Sequence, residues 1–136
     1  MTYRVLIADD EERMRRVLAM VFDEMKDTKI VTVSDCVTTL EYLERERFHL
    51  LITDLKVPEV GRLDFLKAIK CKAPDLPVIV LTAYGSVESA IDVMKEGVFD
   101  YLTTPFENDI LKLAVKRALK MSSLTIENRY LRQALE

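Results

Sequence analysis

The fold is decided by the stretch Leu50-Leu51-Ile52-Thr53-Asp54-Leu55-Lys56-Val57-Pro58. An apolar run ends there on the carboxylate Asp54, and the chain then turns on Pro58. A short run that is apolar at successive positions is typical of a parallel strand buried on both faces. Its last side chain should lie at the carboxyl edge of a sheet, where open α/β folds bind ligands. Because a lone strand-end aspartate more often caps a turn, the other strand ends must decide its role.

A second apolar run, Tyr3–Ala8, ends on Asp9-Asp10-Glu11-Glu12. Adjacent carboxylates repel one another, and a helix amino terminus supplies only about half a positive charge. Mg²⁺ supplies more, and it commonly takes one or two carboxylates among its oxygen ligands. Taken alone, Asp9 or Asp10 is more simply explained as the N-cap of a helix that begins at Glu11. Together with Asp54 on a neighbouring strand, the pair instead predicts a Mg²⁺ site.

Strand-like and helix-like patterns alternate along the rest of the chain. Apolar residues at three- and four-residue spacing predict helices between the strands; in the fourth helix the expected inward face is Val87, Ala90, Ile91 and Met94. Five such pairs predict a doubly wound α/β fold, because parallel strands need helical crossovers. Strands are expected at 3–8, 30–33, 50–54, 78–81 and 98–102, and helices at about 11–25, 36–45, 64–72, 87–96 and from 108 onward.

The polar residues at the strand ends then converge on one crevice. Asp9, Asp10 and Asp54 supply three carboxylates, and Thr82 supplies a hydroxyl after the fourth strand. A carboxylate can act as the nucleophile that accepts a phosphoryl group when a metal screens the incoming oxygens. The Thr82 hydroxyl could bond a phosphoryl oxygen, although a β-branched residue is also common at a strand end.

Composition excludes several other classes of protein. The 136 residues suit one domain with a sizeable core, and a net charge of −3 gives no general attraction to nucleic acid. Cys36 and Cys71 have no metal or redox spacing, which favours free thiols in a reducing compartment and predicts a cytoplasmic location. No apolar stretch approaches the length that spans a membrane.

With these residues in place, the sequence resembles the receiver domain of two-component response regulators over about residues 3–120. The resemblance implies the CheY-like flavodoxin fold with strand order 2-1-3-4-5. It rests on a combination of motifs in the right order: the acidic pair, Asp54 with Pro58 four residues on, Thr82-Ala83 and Asp100-Tyr101.

The resemblance also implies roles for the site residues. Asp54 would be the phosphoacceptor and a sensor histidine kinase the donor. Asp10 would bind Mg²⁺ directly, Asp9 through water, and the backbone carbonyl of Lys56 would complete the protein ligands. Thr82 and Tyr101 would form the pair that moves on phosphorylation, although the tyrosine is also explained as a plain core aromatic.

Two positions depart from the family. Receivers carry a lysine immediately before the proline that follows the fifth strand, and this chain has Thr104 there, before Pro105. A charge-assisted hydrogen bond is worth roughly 1.5–3 kcal/mol, so its loss should slow phosphorylation or weaken its coupling; Lys56 could compensate in part. The glycine expected after the third strand is replaced by Arg62, with Gly61 one position early, so the loop must be reshaped.

The last helix has no evident stop. A fifth receiver helix should end near Lys120, but apolar residues continue at heptad-like spacing, and we expect a receiver over 1–120 and the start of a coiled-coil signalling helix over 121–136. This segment resembles the linker of NtrC-type activators, which implies downstream ATPase and DNA-binding domains in a longer chain and a homodimer through the helix. The heptad positions are Ile110, Ala114, Arg117, Met121, Leu124, Asn128, Leu131 and Leu135.

Two other functions compete with the phosphorylated switch. A pseudo-receiver would serve as a dimerisation module without phosphorylation, and Thr104 is the residue that favours it. An Mg²⁺-dependent phosphatase would use Asp54 as its nucleophile, but such an enzyme needs an acid two residues later, where this chain has Lys56.

Overall fold

Strands and helices alternate throughout the part of the chain that the computed structural model describes, residues 2–54, 62–82 and 87–135, with side chains described for 2–54, 64–82 and 90–122. The five strands pair in parallel in the order β2-β1-β3-β4-β5, which confirms the predicted fold. In chain order the elements are β1 (Tyr3–Ala8), α1 (Glu12–Asp23), β2 (Thr28–Val33), α2 (Cys36–Arg45), β3 (Leu50–Asp54), α3 (Arg62–Lys72), β4 (Val78–Thr82), α4 (Val87–Lys95), β5 (Asp100–Thr103) and α5 (Asn108–Leu135).

The two edge strands differ from their predicted bounds. β2 begins at Thr28, before the apolar run, because its register pairs Thr28 with Tyr3 at the start of β1. β5 begins at Asp100, later than predicted, although the Phe99 N–H already donates to the Val78 carbonyl at 2.7 Å. An edge strand has one partner and is less buried than a central strand, so its apolar pattern marks its ends less sharply.

Side chains alternate between the two faces of the sheet and build two buried clusters. In β1, Val5 and Ile7 pack on the face that carries α1 and α5, whereas Leu6 and Ala8 pack on the face that carries α2, α3 and α4. The central strands are therefore covered on both sides, as their uninterrupted apolar runs predicted. This arrangement leaves the carboxyl ends of β1, β3 and β4 as a single polar edge.

The predicted inward face of α4 was wrong at Ile91 and Met94. Val93 is 2% exposed and packs in the core, whereas Ile91 and Met94 are 49% and 46% exposed; Val87 lies outside the described side chains. α4 covers the edge of the sheet, where a narrow stripe through Ala90 and Val93 is enough to cover the strands. The sequence pattern did not distinguish this stripe from its neighbour because both are apolar.

The predicted continuation of the last helix is confirmed, since α5 runs to Leu135. Its first half packs on the sheet through Leu111, Val115 and Leu119, and the packing reaches Ser122, which is 6% exposed. Ala114 is also buried there, so it cannot belong to an outward heptad stripe as predicted. Among the helices in the described residues, 2–54, 62–82 and 87–135, none combines the length and the hydrophobicity that a membrane-spanning helix needs.

Candidate functional site

Strand register brings the acidic residues of the sequence together. Ala8 pairs with Thr53, so Asp9 follows β1 at the level of Asp54 at the end of β3. One carboxylate oxygen from each of Asp9, Asp10 and Asp54 lies within 4.8 Å of the others. The first of these side chains is buried, the second exposed and the third intermediate, so this acidic cluster is open to solvent on one side. The predicted three-carboxylate cluster is therefore present.

Asp9 is held by the turn that leads into α1. Its Oδ1 accepts a 2.8 Å hydrogen bond from the Glu11 N–H, and its backbone carbonyl accepts one of 2.6 Å from Nη1 of Arg15. The N-cap of α1 is Glu11, which makes no side-chain cap, so the N-cap explanation for Asp9 or Asp10 does not hold. The sequence analysis did not predict the contact from Arg15. The one feature that could have indicated it is a positively charged residue shortly after the acidic run.

Burial raises the pKa of the Asp9 carboxyl to about 6. The Glu11 N–H hydrogen bond opposes the rise, while the negative charges of Asp54, Asp10 and Glu11 add to it. The protein thus places a carboxylate where its charge is destabilised by both desolvation and its neighbours. A cation of high charge density would relieve both effects.

The donor set fits Mg²⁺. Metal–oxygen distances of about 2.0–2.1 Å place two ligands of one octahedron at most about 4.2 Å apart. The three carboxylate oxygens lie within 4.8 Å of one another, so small side-chain rotations would bring them into range. All three donors are hard oxygens, which Mg²⁺ prefers.

Thr82 and Tyr101 lie on one face of adjacent strands. Thr82 is 2% exposed and follows Leu81, which pairs with Asp54. Tyr101 pairs with Val80, two residues earlier in β4, and its ring packs against the same core cluster as Val80. Because side chains alternate along a strand, Thr82 shares that face. Strand spacing puts the Cα of Thr82 about 8 Å from the Cα of Tyr101. The Tyr101 hydroxyl is buried and has no hydrogen-bond partner among the described residues.

Comparison with known proteins decides the family. The model of the response regulator receiver domain matches residues 5–116. The chain belongs to this family. It is 35% identical over 97% of its length to the regulatory protein AtoC of Escherichia coli K12, of which it covers 28%.

Two solved structures agree with this receiver assignment. NtrX from Brucella abortus has a TM-score of 0.85 at 28% identity, covering 97% of this chain and 30% of that one. The beryllofluoride-activated NtrC4 receiver domain dimer has a TM-score of 0.81 at 28% identity, covering 88% of this chain and 98% of that one. The relatives are NtrC-type regulators, and the chain spans about a quarter of the length of the curated ones.

In this receiver, Thr104 stands beside the site. Its N–H donates a 2.8 Å hydrogen bond to the carbonyl of Thr82, and its side chain is half-buried. The hydroxyl carries no charge, so the side chain at position 104 supplies no cation to the acidic cluster. The other loop residues predicted to matter, Lys56 with its backbone carbonyl and Ala83, lie outside the described residues, as do Pro58 and Gly61.

Proposed function

We propose that this receiver accepts a phosphoryl group on Asp54 from the phosphohistidine of a sensor histidine kinase. A carboxylate oxygen of Asp54 attacks phosphorus, the phosphorus–nitrogen bond breaks, and an acyl phosphate forms. The observation that carries the proposal is the cluster of Asp9, Asp10 and Asp54 within 4.8 Å, with Asp9 buried and Asp54 accessible. A carboxylate at a solvent-open edge can be reached by a donor, whereas its buried neighbour is better suited to metal binding.

Mg²⁺ would be held directly by Asp10, Asp54 and the carbonyl of Lys56, and by Asp9 through a water molecule. When bound, Mg²⁺ screens the repulsion between the nucleophilic carboxylate and the phosphoryl oxygens. The Glu11 N–H and the Arg15 guanidinium fix Asp9 from two sides, so its carboxylate needs little reorganisation. Such support outside the ligand set is what orients metal-binding side chains.

The proposed switch is the pair Thr82 and Tyr101. The threonine hydroxyl would rotate to donate to a phosphoryl oxygen on Asp54, and the tyrosine ring would fill the space it leaves. Their position on one face of neighbouring strands supports the coupling. The buried, unpartnered Tyr101 hydroxyl supports it too, because the ring can move without breaking a hydrogen bond to any described residue.

We further propose that the receiver, over 1–120, regulates ATPase and DNA-binding domains of a longer chain through the segment 121–136. The exposed side chains of Ile110, Leu113 and Met121 on α5 support association of two copies along this helix. The NtrC4 receiver, at 28% identity, is described as a dimer when activated by beryllofluoride, which supports a dimer here.

Incubation with acetyl phosphate and Mg²⁺, followed by intact mass spectrometry, tests the proposal. The wild-type chain should gain the mass of one phosphoryl group, and Asp54→Asn should gain none, because an amide is not a nucleophile for this reaction. The exposed carboxylate of Asp64 on α3 provides a matched control, since Asp64→Asn should label like the wild type. Equal labelling of wild type and Asp54→Asn would sink the proposal.

A phosphorylation-independent receiver is the second candidate function, and Thr104 is the observation that favours it. The same incubation separates the two. An unlabelled wild-type chain that still assembles through α5 identifies the dimerisation module.

A further inference from the structure

The three lysines of α3 have different surroundings. Lys72 forms an ion pair with Glu44 on α2, and Lys67 lies 4.0 Å from Glu96 after α4. Lys70 lies between them in sequence and has no carboxylate within ion-pairing distance among the residues with described side chains. Lys70 is therefore the one of these three lysines that forms no ion pair with the described side chains.

Lys70 also lines a cavity of about 270 Å³, which lies at the end of the sheet opposite the acidic cluster. A Cβ placed on Gly97 would meet the Lys70 Cε at 3.6 Å and its Nζ at 3.9 Å. The amine end of the side chain therefore lies against the bare glycine backbone, where no side chain blocks it. The other walls are formed by the loop 74–77, by Val98 and Phe99, and by Met121 of α5.

The same burial changes the acid–base behaviour of the amine. Desolvation lowers the pKa of Lys70 from its usual value of 10.5, whereas the hydrogen bond that Lys112 donates to Glu24 raises the pKa of Lys112. At neutral pH the fraction of Lys70 present as the free amine is therefore larger than for a lysine with the usual pKa, and the free amine is the nucleophilic form.

We propose that Lys70 is an acylation site that takes a small acyl group from an acyl phosphate. The free amine attacks the carbonyl carbon, an amide bond forms, the carbon–oxygen bond to phosphate breaks, and phosphate leaves with the electron pair. The proton of the attacking amine passes to solvent, and nothing is oxidised or reduced. The cavity of about 270 Å³ accepts an acetyl group and is below the size of sites that enclose a drug-sized ligand.

The position gives the modification a route to the rest of the molecule. Met121 belongs both to the cavity wall and to the point where α5 leaves the sheet. An acyl group on Lys70 removes a partly desolvated charge and fills space beneath that helix. Acylation would therefore act on the exit of α5, away from Asp54.

The test is incubation of the wild-type chain and Asp54→Asn with acetyl phosphate, followed by proteolysis and mass spectrometry of acetyl occupancy at early times. Lys70 should be acetylated about threefold faster than Lys72 or more, because the Lys70 amine lines a cavity that accepts the acetyl group and burial lowers its pKa. The rates should match in wild type and Asp54→Asn, which separates this reaction from phosphorylation at Asp54.

Removing the partner of Lys72 provides the matched control. In Glu44→Gln, Lys72 loses its carboxylate but stays outside the cavity, so Lys70 should remain the faster site. Equal or slower acetylation of Lys70 in the wild type overturns the proposal, as does a Lys72 that overtakes it in Glu44→Gln.

Discussion

The backbone N–H of Thr104 donates a 2.8 Å hydrogen bond to the carbonyl oxygen of Thr82. Thr104, which occupies the position where the resemblance predicts a lysine, is thus fixed directly beside the proposed switch residue. Because this bond uses only backbone atoms, the side chain at position 104 can change without breaking it. A lysine at position 104 would therefore add a charge without breaking this backbone hydrogen bond.

Restoring the cation should strengthen phosphorylation. Thr104→Lys should raise the rate of labelling by acetyl phosphate, or the phosphoryl-induced change, about tenfold if the ion pair contributes about 1.4 kcal/mol. Intact mass spectrometry over time measures it. Thr103→Lys adds the same charge at the exposed neighbouring residue and should have little effect. An equal gain from both variants would show that general charge, and not this position, limits the reaction.

Stability without metal should depend on the protonation of Asp9. Its pKa is raised in the fold from 3.8 to about 6, so the protonated form is favoured. The stabilisation is fully present below about pH 3.8 and is lost as pH rises through about 6. Above that pH the buried charge costs about 3 kcal/mol at most. Asp9→Asn should therefore be more stable than the wild type at pH 7.5 in the presence of a chelator, as urea unfolding would show.

Three further measurements test that explanation. Near pH 4 the gain from Asp9→Asn should fall below about 1 kcal/mol, because the wild-type carboxyl is then largely protonated in the fold. Asp10→Asn, which changes an exposed carboxylate, should give a smaller gain at pH 7.5. Added Mg²⁺ should stabilise the wild type more than Asp9→Asn, since a ligand stabilises the state it binds. A gain independent of pH would mean that packing, and not charge, distinguishes Asp9.

The sequence predicted the parts of the site that depend on central strands. The runs that end at Ala8, Asp54 and Thr82 are buried on both faces, so their ends could be placed, and the carboxylate cluster follows from parallel register. It did not predict which stripe of α4 turns inward, because Val93 and Ile91 are equally apolar and only the position of the helix on the sheet distinguishes them. The bond from Arg15 to the Asp9 carbonyl depends on the turn geometry, which no residue pattern reports.

Removing the Tyr101 hydroxyl should not weaken the fold. The group is buried without a partner among the described residues, and an unsatisfied buried polar group costs about 1–3 kcal/mol. Tyr101→Phe keeps the ring and should leave the free energy of unfolding unchanged or raise it by about 1 kcal/mol. Tyr101→Ala removes the packing ring and should lower it by roughly 3 kcal/mol. Marked destabilisation of Tyr101→Phe in urea unfolding would reveal a hydrogen bond that the hydroxyl makes in solution.

The last prediction concerns assembly through α5. Packing of this helix on the sheet reaches Ser122, and the helix continues to Leu135. A helical segment as short as 123–135 is only marginally stable in water by itself, so we expect it to pack against a partner. The exposed Ile110, Leu113 and Met121 on the packed half supply apolar contacts, and burying a leucine is worth roughly 1.5–3 kcal/mol. A second copy of the same helix would stabilise the segment and bury the exposed apolar side chains, because in a two-fold dimer each stripe packs against its equivalent.

Truncation after Ser122 keeps the α5 residues with described side chains that pack on the sheet and removes the segment that follows, so it separates folding from assembly. The full chain should be dimeric by light scattering, and the truncated chain should shift toward monomer with an unchanged free energy of unfolding in the monomeric state. Leu131→Glu, on the predicted stripe, should act like the truncation, whereas Arg132→Glu, one position away, should leave the dimer largely intact. A monomeric full chain at the highest concentration tested, or a truncated chain that dimerises equally well, would place the interface elsewhere.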